Sequence, residues 1–559
     1  MAGKKRRVST ATTKASNPGE TGSVKKARVD ALVVPELLAT VFSFATRPTL
    51  GTCVQVCKLW SEVALDELWK HLDSVFPLLE LVMSIDLLRN LELRVPDASQ
   101  ILSSELSNAD WSRFHSYSSR VRSISYDHEK IYRPNLITPA IAPEAIAMLC
   151  LHRPSCHEVL PNLETLKWST NGPTTPILPL LSPRIKFLEV ELTGSSQSID
   201  DFFRALAGRT PHLATFDLRT RRAAKDIELS LRKAIGTWRN LDTLSLPPYY
   251  LRPSIMGVIA SLPSLRHLQC DPTYYPPYDE AAMLKELPEN AFPKLCSFAF
   301  NSNPPSALKL AIQSPDLFTG LTSIMIDAAN SVGGEEVLKF VRHLGRECVR
   351  LSAVSLNLCL GWGPQGEVAS PLSFGVLESL FPCRRLRRLV IGHPRPLSFT
   401  ESDVERIAVA WPNLEIFDVC NEPDSSRPIP GATGNSLSIL PIFAKHFPSM
   451  KSLGLFFAKD QDLDFSGNLY PEFEFQQLQS ICVGVSPGPG AKSRDIGFLI
   501  ASLCKVKPAI EIGASLWYAG ADLPEWAEYQ SQWLEASNFL QFAMRTKIAS
   551  RANQTRAVT

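Results

Sequence analysis

The residues with the types and order to do chemistry are few, and each set fails a requirement of that chemistry. Gly484-Val-Ser-Pro-Gly488-Pro-Gly490-Ala-Lys492-Ser493 follows an apolar strand-like run and precedes a helical pattern, as a phosphate-cradling loop does. That loop requires glycine directly before its lysine, and amide donors along its length. Ala491 stands there instead, and two prolines remove donors. Cys150, His152, Cys156 and His157 crowd together, but their spacing matches no usual zinc-ligand pair, so a solvated loop is the better reading. His115, His128, His212, His267, His343, His393 and His446 are dispersed, with no Gly-x-Ser-x-Gly elbow near them. Glu335-Glu336 falls on a predicted helix face and reads as solvated charge. No catalytic group, metal ligand or cofactor is proposed.

The elements therefore point to binding. Pro35-Glu36-Leu37-Leu38 opens a short apolar helix that ends near Val41-Phe42, and a turn at Thr46-Arg47-Pro48 follows. A second helix holds Leu50, Cys53, Val54 and Val56-Cys57. A third, Lys58 to Leu72, carries Trp60, Ala64 and Leu68 at i, i+4 and i+8, three apolar groups stacked on one face. About forty residues seldom bury enough apolar surface to be stable alone. Three such helices imply a partner or a neighbouring domain.

This segment resembles the F-box. The family's Leu-Pro-x-Glu-Leu-Leu opening corresponds to Val33-Val34-Pro35-Glu36-Leu37-Leu38 and its Ile-Phe to Val41-Phe42. Its Val-Cys-x-x-Trp corresponds to Val56-Cys57-Lys58-Leu59-Trp60, and its Leu-Trp to Leu68-Trp69. The usual Leu-Pro is Val-Val here; this departure bears on the first adaptor contact, where Val34 still supplies apolar area. The resemblance implies that Val34, Pro35, Leu38, Val41, Phe42, Leu50, Val54, Val56 and Trp60 pack on a Skp-type adaptor, with Trp60 and Trp69 holding the helices together. The alternative is an amphipathic helix pair that happens to carry two tryptophans.

Bulk properties are those of an ordinary globular protein: 559 residues, 45% apolar and 20% charged. No apolar run reaches membrane-spanning length and no apolar stretch follows the polar start, so membrane insertion and secretion are not expected. The twelve cysteines are scattered without a Cys-x-x-Cys pair. Cys270, Cys296 and Cys482 fall where a small apolar residue would sit, which reads as reduced thiols in an intracellular protein. Residues 1–30 hold eight Lys/Arg against Glu20 and Asp30, while the rest of the chain is mildly acidic. This basic head has almost no apolar residues and is expected to be disordered. Lys4-Lys5-Arg6-Arg7 and Lys25-Lys26-Ala27-Arg28 look equally like a nuclear-import signal and a solubilising tail, giving a nuclear or cytoplasmic location or both. Phosphorylation of Ser9 would cancel charge in the first cluster. The head has no aromatic residue to stack bases, which argues against nucleic acid.

Beyond residue 120 one phrase recurs: apolar, two variable, apolar, one variable, apolar. It begins at Leu163, Ile185, Leu213, Leu241, Leu265, Leu295, Leu321, Leu351, Leu386, Leu414, Met450 and Leu478, at intervals of 22–36 residues. Val121-Arg-Ser-Ile124-Ser-Tyr126 is an earlier instance. The alternation suits a strand with one buried face. Helical patterns lie between, as at Ile199–Ala207, Asp226–Ile235, Glu335–Leu344 and Thr400–Ala410. Pro161, Pro183, Pro211, Pro263, Pro293, Pro412 and Pro448 stand two residues before seven phrases, stopping a helix where a strand must begin. A strand and a helix at this interval resemble an irregular leucine-rich-repeat solenoid, each unit burying its apolar face on the next. That family's ninth-position Asn or Cys occurs only as Asn171, Asn303 and Cys359. A closed β/α barrel is the alternative, but it asks for longer apolar strands.

The expected organisation is α/β: a basic tail (1–30), an all-α F-box (31–72), a helical linker (73–118), a strand–helix solenoid (119–522), a capping helix (523–549) and a tail (550–559). Phe76 to Leu93 reads as a stiff helical neck. Asp110-Trp111-Ser112-Arg113-Phe114 resembles the solenoid entry of many fungal F-box proteins. Asp522-Leu523-Pro524 should start a helix with Trp526, Tyr529, Trp533 and Leu540 on one stripe, a cap for the last repeat rather than a partner site.

The F-box resemblance implies a non-catalytic substrate receptor of an SCF-type ubiquitin ligase, joined through its adaptor to a cullin. It would raise the concentration of substrate lysines near the conjugating enzyme. The protein substrate would meet variable strand positions on the concave face: Lys167, Glu189, Asp217, Arg219, His267, Gln269, Asp271, Asn301, Asp327, Asn357, Arg388 and Asp418. Both signs of charge occur among them, so no simple charge preference follows. A repeat scaffold without ligase function is the competing reading.

Overall fold

The computed structural model describes residues 34–84, 86–87, 98–127, 143–154, 158–169, 175–270, 287, 291–328, 333–358, 370–423, 434–458, 473–513 and 526–558. It divides into two compact units, Met1–Ser169 with Pro179–Ile185, and Thr170–Leu178 with Lys186–Thr559. The basic tail lies outside the described residues.

The first unit starts with three helices: α1 (Pro35–Phe42), α2 (Arg47–Cys53) and α3 (Lys58–Lys70). Proline in the first turn of α1 and α2 costs no hydrogen bond, because those amides have no intrahelical partner. The Thr46 hydroxyl accepts the Thr49 amide at the start of α2. α2 is shorter than expected: Val54 is its C-cap, and Val56 and Cys57 form the turn into α3.

No linker separates these helices from the sheet. α3 runs directly into β1 (His71–Leu72), which pairs in parallel with β2 (Ser123–Asp127), and β2 pairs with β3 (Thr165–Ser169). The expected neck is instead α4 (Phe76–Leu79) followed by turns. Phe76, Leu78, Leu79, Val82 and Met83 are all buried, a density of burial that suits a compact turn better than a one-sided helix. Residue 85 and residues 88–93 of that expectation lie outside the described residues. Further helices of the unit are α5 (Ala98–Ser107), α6 (Trp111–Ser118) and α7 (Pro143–His152). Asp110 caps α6 by accepting the Arg113 amide.

The second unit repeats a strand and a helical segment. Its strands, in sheet order as in chain order, are β4 (Phe187–Glu191), β5 (Thr215–Arg219), β6 (Thr243–Leu246), β7 (His267–Cys270), β8 (Ser297–Asn301), β9 (Ser323–Asp327), β10 (Ala353–Asn357), β11 (Arg388–Gly392), β12 (Ile416–Val419), β13 (Ser452–Leu455), β14 (Ser480–Cys482) and β15 (Ala509–Glu511). All neighbours are parallel. The register aligns the phrases: Leu188, Phe216, Leu244, Leu268, Phe298, Ile324, Val354, Leu389, Phe417, Leu453, Ile481 and Ile510 pair in succession. Every phrase residue is buried except Cys270, which is half-buried. β1 and β15 extend this pattern to segments the phrase does not mark.

A shared hydrogen bond explains the constancy of the turn before each strand. The Ser352 carbonyl accepts the amides of Arg387 and Arg388, Arg387 those of Glu415 and Ile416, and Glu415 those of Lys451 and Ser452. The same pairing recurs from Lys186 through Lys451.

The connecting helices include α8 (Ser196–Arg209), α9 (Glu228–Ile235), α10 (Pro253–Ile259), α11 (Pro304–Gln313), α12 (Pro315–Gly320), α13 (Gly334–Glu347), α14 (Gly375–Glu378), α15 (Glu401–Ala410), α16 (Ile439–His446) and α17 (Ser493–Leu503). Thr400 and Asp403 form a reciprocal capping box on α15. α18 (Trp526–Val558) runs on past residue 549. Trp526, Trp533 and Leu540 are buried and Tyr529 half-buried, as a cap requires. Trp533 Nε1 donates to Ser486 O at 3.2 Å.

Ninth-position asparagine is scarce because other side chains satisfy the loops. Buried Asn435 donates to Leu397 O and Phe456 O and accepts the Phe399 amide. Asn303, placed in that role by the sequence, is instead the N-cap of α11, accepting the Ser306 amide. Asn171 and Cys359 lie outside the described residues.

Candidate docking surfaces

The three-helix module builds a small core of its own. Leu38, Phe42, Leu50, Val63 and Ala64 are buried together, with Val54, Leu59, Trp60 and Leu68 packed against them. Phe42 and Trp60 meet edge to face, their centroids 5.4 Å apart. Leu38, Phe42 and Leu50 are therefore corrected as adaptor-facing residues: they face inward and hold the helices together. Of the residues assigned to the adaptor by sequence, Val34, Pro35, Val41 and Val56 are exposed, whereas Val54 and Trp60 are half-buried.

Two exposed residues had not been assigned to the adaptor, Leu37 and Phe44, the latter 87% exposed. Val34, Leu37, Val41, Phe44 and Val56 all fall within 34–56 and remain open to solvent. Each contributes about 1.5–3 kcal/mol when fully buried. Their exposure and closeness in the chain make them the candidate docking residues. The signal was present in the sequence, because Val34, Leu37, Val41 and Phe44 stand three or four residues apart.

The outward charge of α3 is fixed from below. Arg120 Nη2 lies 2.5 Å from Glu62 Oε2, and Arg120 Nη1 bonds Asp66 Oδ1 and donates to Glu62 O at 3.1 Å. Its guanidinium pKa is raised: the two carboxylates outweigh burial, the largest single influence, which acts the other way. Trp69 packs on Tyr117 of α6 with centroids 4.6 Å apart. In the same unit His152 is spent on Ser103 Oγ and Ser107 Oγ; Cys156 and His157 lie outside the described residues. Among the described residues no group of three or more His, Cys, Asp or Glu is placed to hold a metal ion.

In the second unit, alternate strand residues leave one sheet face partly open, with patterns such as half-buried, buried, half-buried, buried, half-buried. Arg219 ties two of the expected contacts together, reaching Glu189 at 3.0 Å and Asp217 at 3.5 Å. His267 is half-buried, and Gln269 and Arg388 are exposed. Lys167, in the first unit, is exposed on β3. Asp271 lies outside the described residues.

Asn301 and Asp327 are corrected: both are buried and cannot present their side chains to a protein surface. Each ends its strand, and Asn301 Oδ1 accepts the Tyr249 amide from the buried segment after β6. In register, Asp327 lies between Asn301 and Asn357. Burial pushes its carboxyl up to about 6, against a hydrogen bond from Asn357. Half-buried Asp418, beside Gly454 in the next strand, is pushed up to about 7, first by desolvation and then by Glu422 and Glu511, with Arg388 opposing.

The Gly484–Ser493 loop is engaged by the cap. The Gly490 amide donates to Gln532 Oε1 at 2.8 Å, and Ser486 Oγ accepts the Phe457 amide. Of its glycines, Gly488 gives room to Gln532 of α18, while Gly484 lies against the Asn421 backbone.

Residues 35–74 match the family described as F-box-like, and this segment is an F-box-like domain. The strands and helices of the second unit alternate in leucine-rich-repeat-like order. Two solved structures are similar over much of the chain. One is the yeast Rad7 and Elc1 complex, with 13% identity, a TM-score of 0.30 and coverage of 75% of this chain and 98% of that one. The other is the leucine-rich repeat-containing protein LegL7 from Legionella pneumophila, with 12% identity, a TM-score of 0.24 and coverage of 63% and 87%. At such scores neither likeness bears on function. No curated protein matches the chain.

Proposed function

We propose that this protein is a substrate-receptor subunit of an SCF-type ubiquitin ligase. The F-box-like domain docks a Skp-type adaptor and, through it, a cullin. The solenoid holds the protein to be modified. The receptor makes no bond itself; tethering raises the local concentration of substrate lysines at the conjugating enzyme. It works in the nucleus, the cytoplasm or both.

The observation that carries this reading is the exposed set Val34, Leu37, Val41, Phe44 and Val56 on a module whose other apolar residues already form a core. That set offers a foreign groove a surface without unfolding the helices. The test is co-purification of the full chain carrying Val41→Asp and Phe44→Asp. Both sites are exposed, so the helices persist, and retention of adaptor and cullin is lost. Unchanged retention refutes the docking surface. Adaptor retained without any cullin, in the unmodified protein, supports the competing scaffold reading instead.

A further inference from the structure

The turns before β10 and β11 carry an arginine cluster that adaptor docking does not use. The sequence there is Arg384-Arg385-Leu386-Arg387-Arg388; Leu386 is buried, and the four arginines around it are exposed. Ala353 pairs with Arg388, so Arg350 and Arg385, each three residues earlier, hold the same place in consecutive repeats. Arg350 is also exposed. Neighbouring strands lie about 4.8 Å apart, which sets these side chains side by side along one edge of the unit.

Some of this charge is accounted for. Arg384 Nη1 donates to Val409 O at 3.1 Å, near the end of α15, where a cation is expected. Arg387 lies 2.6 Å from Glu415, whose other oxygen takes Lys451 at 2.7 Å. One carboxylate is thus shared by two cations, and together they hold its pKa down. The guanidinium groups of Arg350, Arg385 and Arg388 have no hydrogen-bond or ion-pair partner among the described residues. Glu347, exposed in the last turn of α13, is a further acid nearby in sequence. Asp418 acts on Arg388 only through space, and its carboxyl, pushed up to about 7, is incompletely ionised at neutral pH. Arg350, Arg384, Arg385, Arg387, Arg388 and Lys451 thus outnumber Glu347, Glu415 and Asp418 along this edge.

We propose that this edge binds an acidic polypeptide segment, whose Asp or Glu carboxylates are gripped by the guanidinium forks of Arg350, Arg385 and Arg388. Guanidinium is planar and meets carboxylate through two parallel hydrogen bonds, which makes arginine the suited residue for the task. A nucleic acid is the weaker candidate because single strands are held by aromatic stacking as well as charge. Of the exposed large apolar residues, Val349 adjoins Arg350 in sequence and the Val409 carbonyl accepts from Arg384, and neither is aromatic. The inference rests on the solenoid's proposed role of holding cargo and names the chemistry of that cargo.

The test uses the full chain and a short labelled peptide rich in Asp and Glu, read by fluorescence anisotropy at low and high salt. The unmodified protein binds, and affinity falls as salt rises. Arg385→Glu with Arg388→Glu weakens binding roughly tenfold or more, while Arg239→Glu, an exposed arginine before β6, leaves it unchanged. Circular dichroism checks the fold, and Arg385→Gln with Arg388→Gln serves if charge reversal disturbs it. Binding unaffected by either double variant overturns the proposal, as does equal binding of an oligothymidine that displaces the peptide. The assay contains no adaptor, so its failure is separate from failure of the docking surface.

Discussion

Phe42 and Trp60 pack edge to face at 5.4 Å and 74°, joining the end of α1 to the start of α3. Phe44, two residues on, is turned to solvent. The short turn after α1 thus divides one apolar run into a residue that makes the fold and a residue free to meet a partner.

That division predicts opposite phenotypes for neighbouring phenylalanines. Phe42→Ala removes a buried ring and its edge contact, at a cost of about 3–5 kcal/mol in a core where little can collapse to fill the space. A module of about forty residues has small stability to lose. The expected outcome is loss of hydrogen-exchange protection throughout Pro35–Lys70, while β4–β15 keep theirs. Phe44→Ala should leave that protection unchanged, within about 0.5 kcal/mol. Equal protection in the two variants would show that Phe42 is not a core residue.

Much of this architecture was legible in the residues, for a physical reason. A parallel sheet with one buried face repeats its apolar spacing in every strand, so Leu213-x-x-Phe216-x-Leu218 and its counterparts announce β5 and its neighbours directly. The helical pattern from Thr400 to Ala410 did the same for α15, whose start Thr400 and Asp403 cap. β1 was not legible, since two residues, His71 and Leu72, carry no period. Nor were the buried ends of β8 and β9. Asn301 and Asp327 look like surface residues by type, and only the loop that brings the Tyr249 amide to Asn301 shows otherwise. In the F-box-like domain the motif located the helices but could not separate inward Leu38 and Phe42 from outward Leu37 and Val41.

The buried carboxyl of Asp327 has a measurable consequence. In the folded protein it keeps its proton up to about pH 6, whereas in the unfolded chain it loses it near 3.8. Between those values the folded state binds more protons, so stability falls as pH rises from about 4 to 6 and then stays lower. The penalty at neutral pH is about 3 kcal/mol. Asp327→Asn keeps the shape and removes the charge. It should stabilise the protein by about 1–3 kcal/mol at pH 7 and change little at pH 4. Urea unfolding at both pH values measures this. Asp418 adds a slope of the same sign, but it is present in both proteins and cancels in the difference. A stability gap that does not grow with pH would mean that the carboxyl is not held in its protonated form.

The cap on the last repeats offers a final test, since two independent contacts fix α18 on α17. Gly497 lets the helices touch: a Cβ there would lie 2.6 Å from Ala536 O and 2.7 Å from Phe539 Cβ. Lys547 Nζ donates to the carbonyls of Ala501, Ser502 and Cys504 at 2.9–3.1 Å and pairs with Glu474 at 2.7 Å. It thereby places a cation on the unsatisfied end of α17. Gly497→Ala must push the α18 backbone away, and overpacking of this kind costs about 1–3 kcal/mol. Lys547→Met keeps much of the stem but leaves three carbonyls and a carboxylate without their donor, at about 1–3 kcal/mol. Both variants should release α18 for cleavage by limited proteolysis well before β4–β13 are cut. The double variant should expose Trp533, whose indole now donates to Ser486 O, and shift its fluorescence to the red. A cap that stays resistant in the double variant would mean that the apolar stripe of Trp526, Trp533 and Leu540 holds α18 without either contact.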